Sequence, residues 1–483
     1  MSGVSRRDCL RIGLMGSAAS ALGGCAKLAN HFVEHQYDSA LPAGKTDETA
    51  RLVQRLTFGP RPGEIAAVQS MGRITYVDSL IRADEKEDMR LQFLLNRLDV
   101  FQMDPYDTQD LPEREVLRQL QMAAILRAAY GKNQLHERMV DFWTNHFNIY
   151  GRKGLAAFRK ATDETNVIRK HALGSFPEML KASARSPAML IYLDNQSNVS
   201  GRANENYARE IMELHTMGVK GGYSQKDVQE VARCFTGWTI ERRFLHHRWA
   251  YIFEEEKHDN GVKHVLGHTI PAGGGKQDAE HVLEILANHP ATAHHLATKL
   301  CTYFLGADGE KWVDRTAQTY LNSKGDIPSM IRPILVSDDL MNSPPILKRP
   351  FDYIVSSIRA LEADTDGGEA IQTHLAAMGE PLYQWPMPDG YPSNTGAWTG
   401  TMLPRWNFAY QLASNTIRGT EVNWPELVRE NNPEKLFELT HARRAGSQDR
   451  VLLQKLTQEM SHGTKGYEGA GFLCLASPSF QWR

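Results

Sequence analysis

Two segments of this chain place large apolar side chains at helical spacing, and this periodicity most narrows the folds that the chain can adopt. At about 100° per residue, one face of the segment 135–148 collects bulky side chains. These are Leu135, Met139, Phe142, Trp143 and His146. Residues 203–217 form a second such segment, and Gly218 follows it as a C-cap. The pattern predicts a mainly α-helical protein.

The remaining elements support this fold class. Further helices are predicted at 47–56, 113–130, 225–235, 278–288, 291–305 and 348–363. One β-hairpin is predicted, because segments 249–253 and 262–266 flank Asp259-Asn260-Gly261, a strong turn signal. We therefore expect one large helical domain over residues 47–483 with a small β-hairpin insertion.

Composition and charge exclude several classes of protein. Of 483 residues, 41% are hydrophobic and 23% are charged, as in soluble globular proteins. The 55 basic and 57 acidic residues give a net charge of −2, so no basic field indicates a nucleic-acid partner. No apolar run reaches the roughly 18 residues of a membrane span, which excludes a polytopic membrane protein.

The first 24 residues are predicted to be an export signal. Arg6-Arg7 precedes an apolar stretch rich in Gly, Ala and Ser, as in twin-arginine signals. Leu22-Gly23-Gly24-Cys25 resembles a bacterial lipobox with Cys25 as the acylated residue, and residues 25–46 form a tether. Because residue 26 is Ala rather than Asp, the outer membrane is favoured. We expect a lipoprotein anchored on the periplasmic side.

After such processing, Cys234, Cys301 and Cys474 are the thiols that remain. They allow at most one disulfide, so no disulfide framework is expected. None of them has CxxC spacing, and the chain contains no HExxH, so neither a cysteine zinc site nor a zincin site is indicated.

Glu210 and Glu213 are the first candidates for catalysis. At spacing i,i+3 their Cβ atoms lie roughly 5–6 Å apart, and close carboxylates suit acid–base or metal chemistry. Asn206 and Arg209 adjoin them as candidate substrate-binding residues. His215 is about 200° away on the helix and should not join them. The alternative is a solvated face with an ordinary Arg209–Glu213 ion pair.

Asp141, Asn145 and His146 are candidates on the helix around residue 142. Asp141 and Asn145, with Asn148, form a polar edge that could line a pocket or face water. His146 lies on the apolar face, where it is either a packed core histidine or a general base at a cavity. We predict Asp141 and His146 as catalytic residues and Asn145 as a substrate-binding residue.

A metal site is a further hypothesis. His258 at the predicted turn, and His264 and His268 beyond it, could bind a transition metal, since strand alternation puts the last two on one face. The alternative is a scatter of surface histidines. The cofactor is left open, with a divalent metal as the candidate.

The segment 381–407 is rich in Pro and aromatic residues, which predicts an ordered loop that lines a site. Trp385, Asp389, Trp398 and Trp406 are candidate substrate-binding residues, because rings interspersed with a carboxylate suit sugars or other amphipathic ligands. The alternative is a loop packed onto the helical core.

Seven segments of the chain resemble the bacterial family known as domain of unknown function 1800. They are 55–60, 141–148, 204–218, 227–238, 267–270, 348–353 and 385–392. The resemblance covers residues 48 to 420 in family order. It implies export, names no activity, and suggests an exported sulfatase-like protein as a partner. At the family level it also implies that the helices at 141–148 and 204–215 face a common site.

These observations lead to three functional hypotheses. The first is an envelope enzyme, a hydrolase of saccharide or another polymeric substrate, with Glu210 and Glu213 in acid–base or metal-binding roles. The second is a non-catalytic envelope lipoprotein that binds or presents a partner such as the sulfatase-like protein. The third is a redox or metal-carrier protein that is loaded before export.

Overall fold

The computed structural model describes residues 48–82, 89–242, 249–427 and 465–483, and a few single positions between 436 and 451. The predicted signal, Cys25 and the predicted tether lie outside the described residues, which begin at residue 48. The described chain is mainly helical with small antiparallel sheets, which confirms the predicted fold class. Within it, no helix is both long enough and apolar enough to cross a membrane.

Helices make up most of the described chain. In the first half the α-helices are α1 Glu48–Leu56, α2 Glu64–Met71, α3 Arg73–Arg82, α4 Met89–Leu95, α5 Glu113–Tyr130, α6 Gln134–His146, α7 Ala156–Asp163, α8 Phe176–Ala184, α9 Pro187–Tyr192, α10 Glu205–Glu210 and α11 Gln225–Cys234. In the second half they are α12 Lys276–Asn288, α13 Pro290–Leu305, α14 Val313–Ser323, α15 Ile327–Leu335, α16 Asp338–Asn342, α17 Pro350–Ala360, α18 Glu369–Ala377, α19 Met402–Ala413, α20 Trp424–Leu427 and α21 Lys465–Ala476.

Two helices continue as π-helical segments, Glu164–Arg169 after α7 and Ile211–Thr216 after α10. The second one completes the helix predicted at 203–217, and Gly218 follows with φ +78° as a C-cap residue requires. Such wider turns recur at functional sites in proteins.

The strands form three two-stranded antiparallel pairs. They are β1 Trp238–Ile240 with β2 Tyr251–Phe253, β3 Lys263–Val265 with β4 His268–Ile270, and β5 Asp364–Thr365 with β6 Thr420–Glu421. The predicted pairing of 249–253 with 262–266 is wrong, because each segment pairs with another neighbour. Asp259 is bound by Arg233 of α11, with Nε–Oδ2 at 2.8 Å, so Asp259-Asn260-Gly261 anchors a loop. The tight hairpin turn is Leu266-Gly267, where both residues have positive φ.

Buried apolar side chains form two large cores. The first core contains Trp143 and Phe176 and extends from α1 to α16. The second core contains Tyr353 and Phe408 and packs α5, α17, α18, α19 and α21 together. A buried ion pair joins helices of the two cores, since Arg138 of α6 donates to Asp352 of α17.

A long-range contact closes the second core. The backbone N–H and C=O of Ile346 exchange hydrogen bonds of 2.9 Å with Arg483, and Lys348 donates to Gln481 at 2.8 Å. The Arg483 side chain is thereby buried, with Nε 3.6 Å from an oxygen of Asp352. The final described residues therefore complete the ionic contacts between the cores.

Candidate functional site

A loop of residues 383–391, called here the site loop, organises the candidate site. The Asn145 side chain donates to the Tyr391 carbonyl at 3.0 Å and accepts from the Tyr391 N–H at 2.7 Å. Asn148 donates to the carbonyls of Trp385 and Met387 at 3.0 and 2.6 Å. The polar edge of α6 predicted from the sequence therefore holds this loop through backbone contacts.

Gly390 makes this approach sterically feasible. Its φ is +76°, and a Cβ atom at this position would stand 2.2 Å from the Asn145 carbonyl oxygen. Further bonds fix the rest of the site loop: Gly151 N–H donates to the Tyr383 carbonyl at 2.8 Å, and the Tyr192 hydroxyl donates to the Pro386 carbonyl at 2.9 Å. The loop is thus an ordered surface rather than a free segment.

Glu210, Glu213 and Asp389 form a group that we call the carboxylate cluster. Burial raises the pKa of Glu210, and the charges of Glu213 and Asp389 raise it further against the opposing effect of Arg209. The Trp385 indole N–H donates to Asp389 Oδ1 at 3.0 Å. The charge of Asp389 acts on Glu210, which links the site loop to the two glutamates.

Arg209 and Asn206 support this cluster from α10. Arg209 contacts Glu213 at 3.5 Å, as the ion-pair alternative expected, and it also donates to Glu205 at 3.1 Å. Asn206 donates to the Leu193 carbonyl at 3.2 Å and so holds the neighbouring backbone. Both side chains therefore contact protein groups in this structure.

His215 does not join the carboxylates, as its angular position predicted. It is buried, whereas Glu213 is partly exposed on the same π-helical segment. The segment is stabilised by the Thr216 hydroxyl, which donates to the Ile211 carbonyl at 2.6 Å. The wider turn therefore separates an outward carboxylate from an inward imidazole.

His146 is packed in the first core, as the core alternative described. Its Nε2 lies 3.1 Å from the His215 carbonyl, so Nε2 carries the hydrogen and donates. Nδ1 then accepts from Lys299 Nζ at 2.8 Å. Burial, with the nearby Lys299 charge, holds the pKa of His146 well below its usual range. His146 is therefore neutral and is oriented by a lysine rather than by a carboxylate.

Asp141 lies in a separate pocket of about 50 Å³, the charged pocket. It is lined by Asp141, Asn145, Lys160, Glu164, Arg169, Arg349, Glu380, Tyr383 and Tyr391, among others. Arg349 donates to Asp141, and its Nη1 lies 3.3 Å from Glu380 Oε1. Tyr383 and Tyr391 of the site loop line this pocket, whereas Asp389 of the same loop belongs to the carboxylate cluster. We expected one common site, but the charged pocket and the carboxylate cluster are two sites, and the site loop contributes residues to both.

Burial raises the pKa of Glu380 to about 7, although Arg349 opposes this shift. Burial likewise raises the pKa of Asp141, with Arg349 again opposing it. No sequence pattern singled out Arg349, Glu380 or Lys299. Arg349 stands inside the segment 348–353 that carried the family resemblance, whereas a lone lysine on a helix such as α13 gives no comparable signal.

Trp398 and Trp406 occupy packing positions instead of the predicted binding surface. Trp398 is buried against Tyr391 and Leu347, and its indole donates to the Pro392 carbonyl at 3.0 Å. Trp406 donates to the Ala476 carbonyl at 3.2 Å, which ties α19 to α21. The part of the aromatic segment that contains Trp398 and Trp406 therefore packs onto the core, as the alternative interpretation proposed. The part at residues 383–391 forms the site loop.

The three histidine candidates for a metal do not converge. His258 is buried, with Nδ1 2.8 Å from the Thr236 carbonyl and Nε2 3.2 Å from Asp278. His264 stands opposite Thr269 and His268 opposite Val265, so the intervening turn puts these two exposed side chains on opposite faces. In the described ranges, no group of three or more His, Cys, Asp or Glu side chains is arranged to hold a metal ion. The thiols of Cys234, Cys301 and Cys474 are all buried.

The fold and the site define a mainly α-helical protein with ionisable side chains gathered on both sides of one ordered loop. The chain belongs to the family described as protein of unknown function (DUF1800), whose model matches residues 51–482. This confirms the predicted resemblance and extends it beyond residue 420. No curated protein and no solved structure matches the chain.

Proposed function

We propose that this protein is an acid–base hydrolase of saccharide or another polymer, with the carboxylate cluster as its catalytic centre. The observation that supports this proposal best is the position of Asp389. Asp389 belongs to the site loop, and its charge acts on Glu210 of α10. Its side chain also accepts a hydrogen bond from the Trp385 indole. Glycoside hydrolysis uses a pair of carboxyl groups, and an indole ring offers a surface on which a sugar packs.

The cluster divides the two proton-transfer roles between its members. Burial and the neighbouring carboxylates raise the pKa of Glu210, which suits this residue to the role of the general acid that protonates the leaving oxygen. Asp389 is exposed, so it is hydrated and accepts a proton from the attacking water as general base. Trp385 is half-buried and offers a ring edge on which a sugar packs.

The exposed part of the site loop suits a polymeric substrate. Asp389, Met387 and Pro386 are all exposed, so a chain can lie across the site loop without entering a deep cavity. The proposed setting is the bacterial envelope, with export by the twin-arginine route and a lipid anchor at Cys25. The export route and the lipid anchor are inferred from residues 1–25 alone.

The test compares Glu210→Gln and Asp389→Asn with Glu205→Gln, a matched control on the same helix that contacts Arg209 and Gln225 instead. Reducing-end release is measured over a panel of envelope and plant polysaccharides, together with the melting temperature. We expect the first two variants to lose about 100-fold or more of the rate with little change in melting temperature, and the control to retain it. Full activity in Glu210→Gln would refute the assignment.

A second candidate function is a binding lipoprotein that presents a partner, such as the sulfatase-like protein. On this proposal Met387, an apolar side chain 56% exposed within the site loop, contacts the partner. On this proposal the Glu210→Gln and Asp389→Asn variants still capture the partner, and the wild-type protein hydrolyses none of the polysaccharides. The same set of variants therefore separates the two functions.

A further inference from the structure

A second, smaller cavity lies beside the ion pair that joins the two cores, and we call it the cationic cavity. Its volume is about 10 Å³. It is lined by Gln54, Thr57, Phe58, Gly59, Arg138, Lys348, Asp352 and Arg483. Three of these side chains are basic and one is a carboxylate, so the lining carries an excess of positive charge. Phe58 also lines the charged pocket, whereas Asp141 and Glu380 of that pocket do not reach this cavity.

The one carboxylate of the lining, Asp352, is already shared between several cations. Its Oδ1 atom accepts from Arg138, and its Oδ2 atom lies 3.6 Å from Arg483 Nε and 3.8 Å from Arg349 Nε. The Lys348 amine packs on an aromatic ring instead, with Nζ 3.5 Å from the centre of Phe480. A single carboxylate therefore does not compensate the charge of the lining.

Both arginines that line the cavity carry N–H groups without an acceptor in the described part of the chain. They are Nε and Nη2 of Arg138 and Nε and Nη1 of Arg483. Arg138 is fully buried and Arg483 is 7% exposed, so bulk water does not solvate these groups. The Arg138 guanidinium is held between contacts with Phe58 and Tyr303, whose ring centres lie 4.8 and 4.9 Å from Cζ. Because buried donors are normally paired, these N–H groups indicate an acceptor in the cavity.

The excess charge favours an anion over a neutral acceptor such as water. Burial lowers the pKa of Arg483 to about 10, and the charge of Arg138 lowers it further, so Arg483 is still protonated at neutral pH. The two guanidinium groups thus repel each other across a region of low exposure. An anion would accept their free N–H groups and would also compensate their charge.

We propose that the cationic cavity binds one chloride ion, which accepts hydrogen bonds from Arg138 and Arg483 and stabilises the junction of the two cores. A cavity of this volume holds about one atom of the size of a water molecule, so phosphate and sulfate are too large for it. Chloride is the monatomic anion that is abundant in biological fluids. This site is independent of the proposed hydrolase function, since none of the residues that line it belongs to the carboxylate cluster.

The first test identifies the atom in the cavity. Crystals of the purified protein grown in sodium chloride are measured at a long X-ray wavelength, at which chlorine scatters anomalously and oxygen does not. We expect an anomalous peak between Arg138 and Arg483. The buried sulfur atoms of Met139 and Cys301 are the internal control, because sulfur also gives an anomalous signal at this wavelength. Density in the cavity without an anomalous signal would identify a water molecule and overturn the proposal.

The second test measures whether the ion stabilises the fold. Protein dialysed against sodium gluconate, whose anion is too large for the cavity, is transferred to sodium chloride at constant ionic strength. The melting temperature should rise by about 1–2 °C for each tenfold increase of chloride above its dissociation constant. A melting temperature that does not depend on chloride would show an adventitious ion only and would refute the stabilising role.

Arg483→Met should abolish the chloride dependence, because it removes a cation and its donors from the cavity. The backbone bonds between residue 483 and Ile346 do not need this side chain. Arg483→Lys, which keeps the charge, should retain part of the response. Arg114→Met, which removes an exposed ion pair with Glu369, is the control and should respond like the wild type.

If Arg483→Met does not fold, Lys348→Met is the second variant, since a methionine side chain can also pack on the Phe480 ring. It removes a positive charge from the lining and should weaken the response to chloride. A wild-type response in the folded cavity variants would place the stabilising ion elsewhere and contradict the proposal.

Discussion

Glu380 shows how burial and a neighbouring cation compete at a single residue. Its Oε2 accepts from the Phe351 N–H at 2.9 Å, and Arg349 faces Oε1. Burial raises its pKa to about 7 in spite of Arg349, which also serves Asp141. A single guanidinium shared by several carboxyl groups does not fully compensate the desolvation of each one.

The pH dependence of stability should therefore carry a Glu380 component. Because the folded-state pKa is raised, its contribution is fully present below the ordinary value of 4.5 and is lost as pH rises through about 7. Compared with Glu380→Gln, the wild type should lose on the order of 3 kcal/mol of unfolding free energy between pH 4.5 and 8. Urea denaturation at both pH values measures this difference.

The matched control is Glu310→Gln, since Glu310 is exposed. Its unfolding free energy should follow the wild type at both pH values. A constant gap between wild type and Glu380→Gln across this range would show that Glu380 does not take up a proton on folding.

The site loop is the element that joins the two candidate sites. It contributes Tyr383 and Tyr391 to the charged pocket, and Trp385 and Asp389 to the region of the carboxylate cluster. Its position depends on Asn145 of α6 and on Asn148, which follows that helix, because both side chains bond to its backbone. A displacement of this loop should therefore affect both sites together.

Gly390→Ala should produce such a displacement. The added Cβ would meet the Asn145 carbonyl at 2.2 Å, at a φ that side-chain-bearing residues seldom adopt. We expect a loss of about 1–3 kcal/mol in unfolding free energy and a red shift of the Trp fluorescence as the Trp385 ring becomes more exposed. Gly400→Ala is the control, because a Cβ atom at that position would meet no atom of the described chain within 4 Å. Equal stability of the two variants would contradict this account.

The sequence was most informative within single elements. Apolar spacing predicted α6 and α10, and it assigned Asn145 to the polar edge of α6, because helical geometry is local. The helix ends at His146, so Asn148 follows it instead of extending its polar edge. It could not supply the Arg349 that binds Asp141 from 208 positions away, nor the Lys299 that binds His146 from 153 positions away. The predicted strand pairing was wrong for a related reason. Arg233 of α11 binds the carboxylate of Asp259, the residue that was expected to form the hairpin turn.

At the scale of the whole molecule, buried ion pairs connect the two cores. Burial alone would raise the pKa of Asp352, but Arg138, Arg483 and Arg349 outweigh it and hold that pKa below its ordinary range. Arg138 is fully buried, and its guanidinium also lies 4.8 Å from the Phe58 ring centre. Loss of this side chain would leave a buried carboxylate short of one cation.

Arg138→Met should therefore destabilise both cores, by about 3–5 kcal/mol. Hydrogen exchange read by mass spectrometry should show lower protection in α6 and in α17 together. Arg114→Met removes an exposed ion pair with Glu369 and should cost about 0–1 kcal/mol. Lost protection in one core only, with the other unchanged, would show that the cores are not coupled through Arg138.

The pairing of Ile346–Lys348 with Gln481–Arg483 has a consequence for the order of assembly. The partners are 137 and 133 positions apart in the chain, so this contact is long-range and should form late in folding. Until it forms, the Asp352 carboxylate lacks one of its arginines and the rear of the second core is open to water. The complete ion network therefore forms only at the end of folding. An intermediate with all of its helices packed would still differ from the native protein, because the hydrogen bonds between residues 346–348 and 481–483 would be absent.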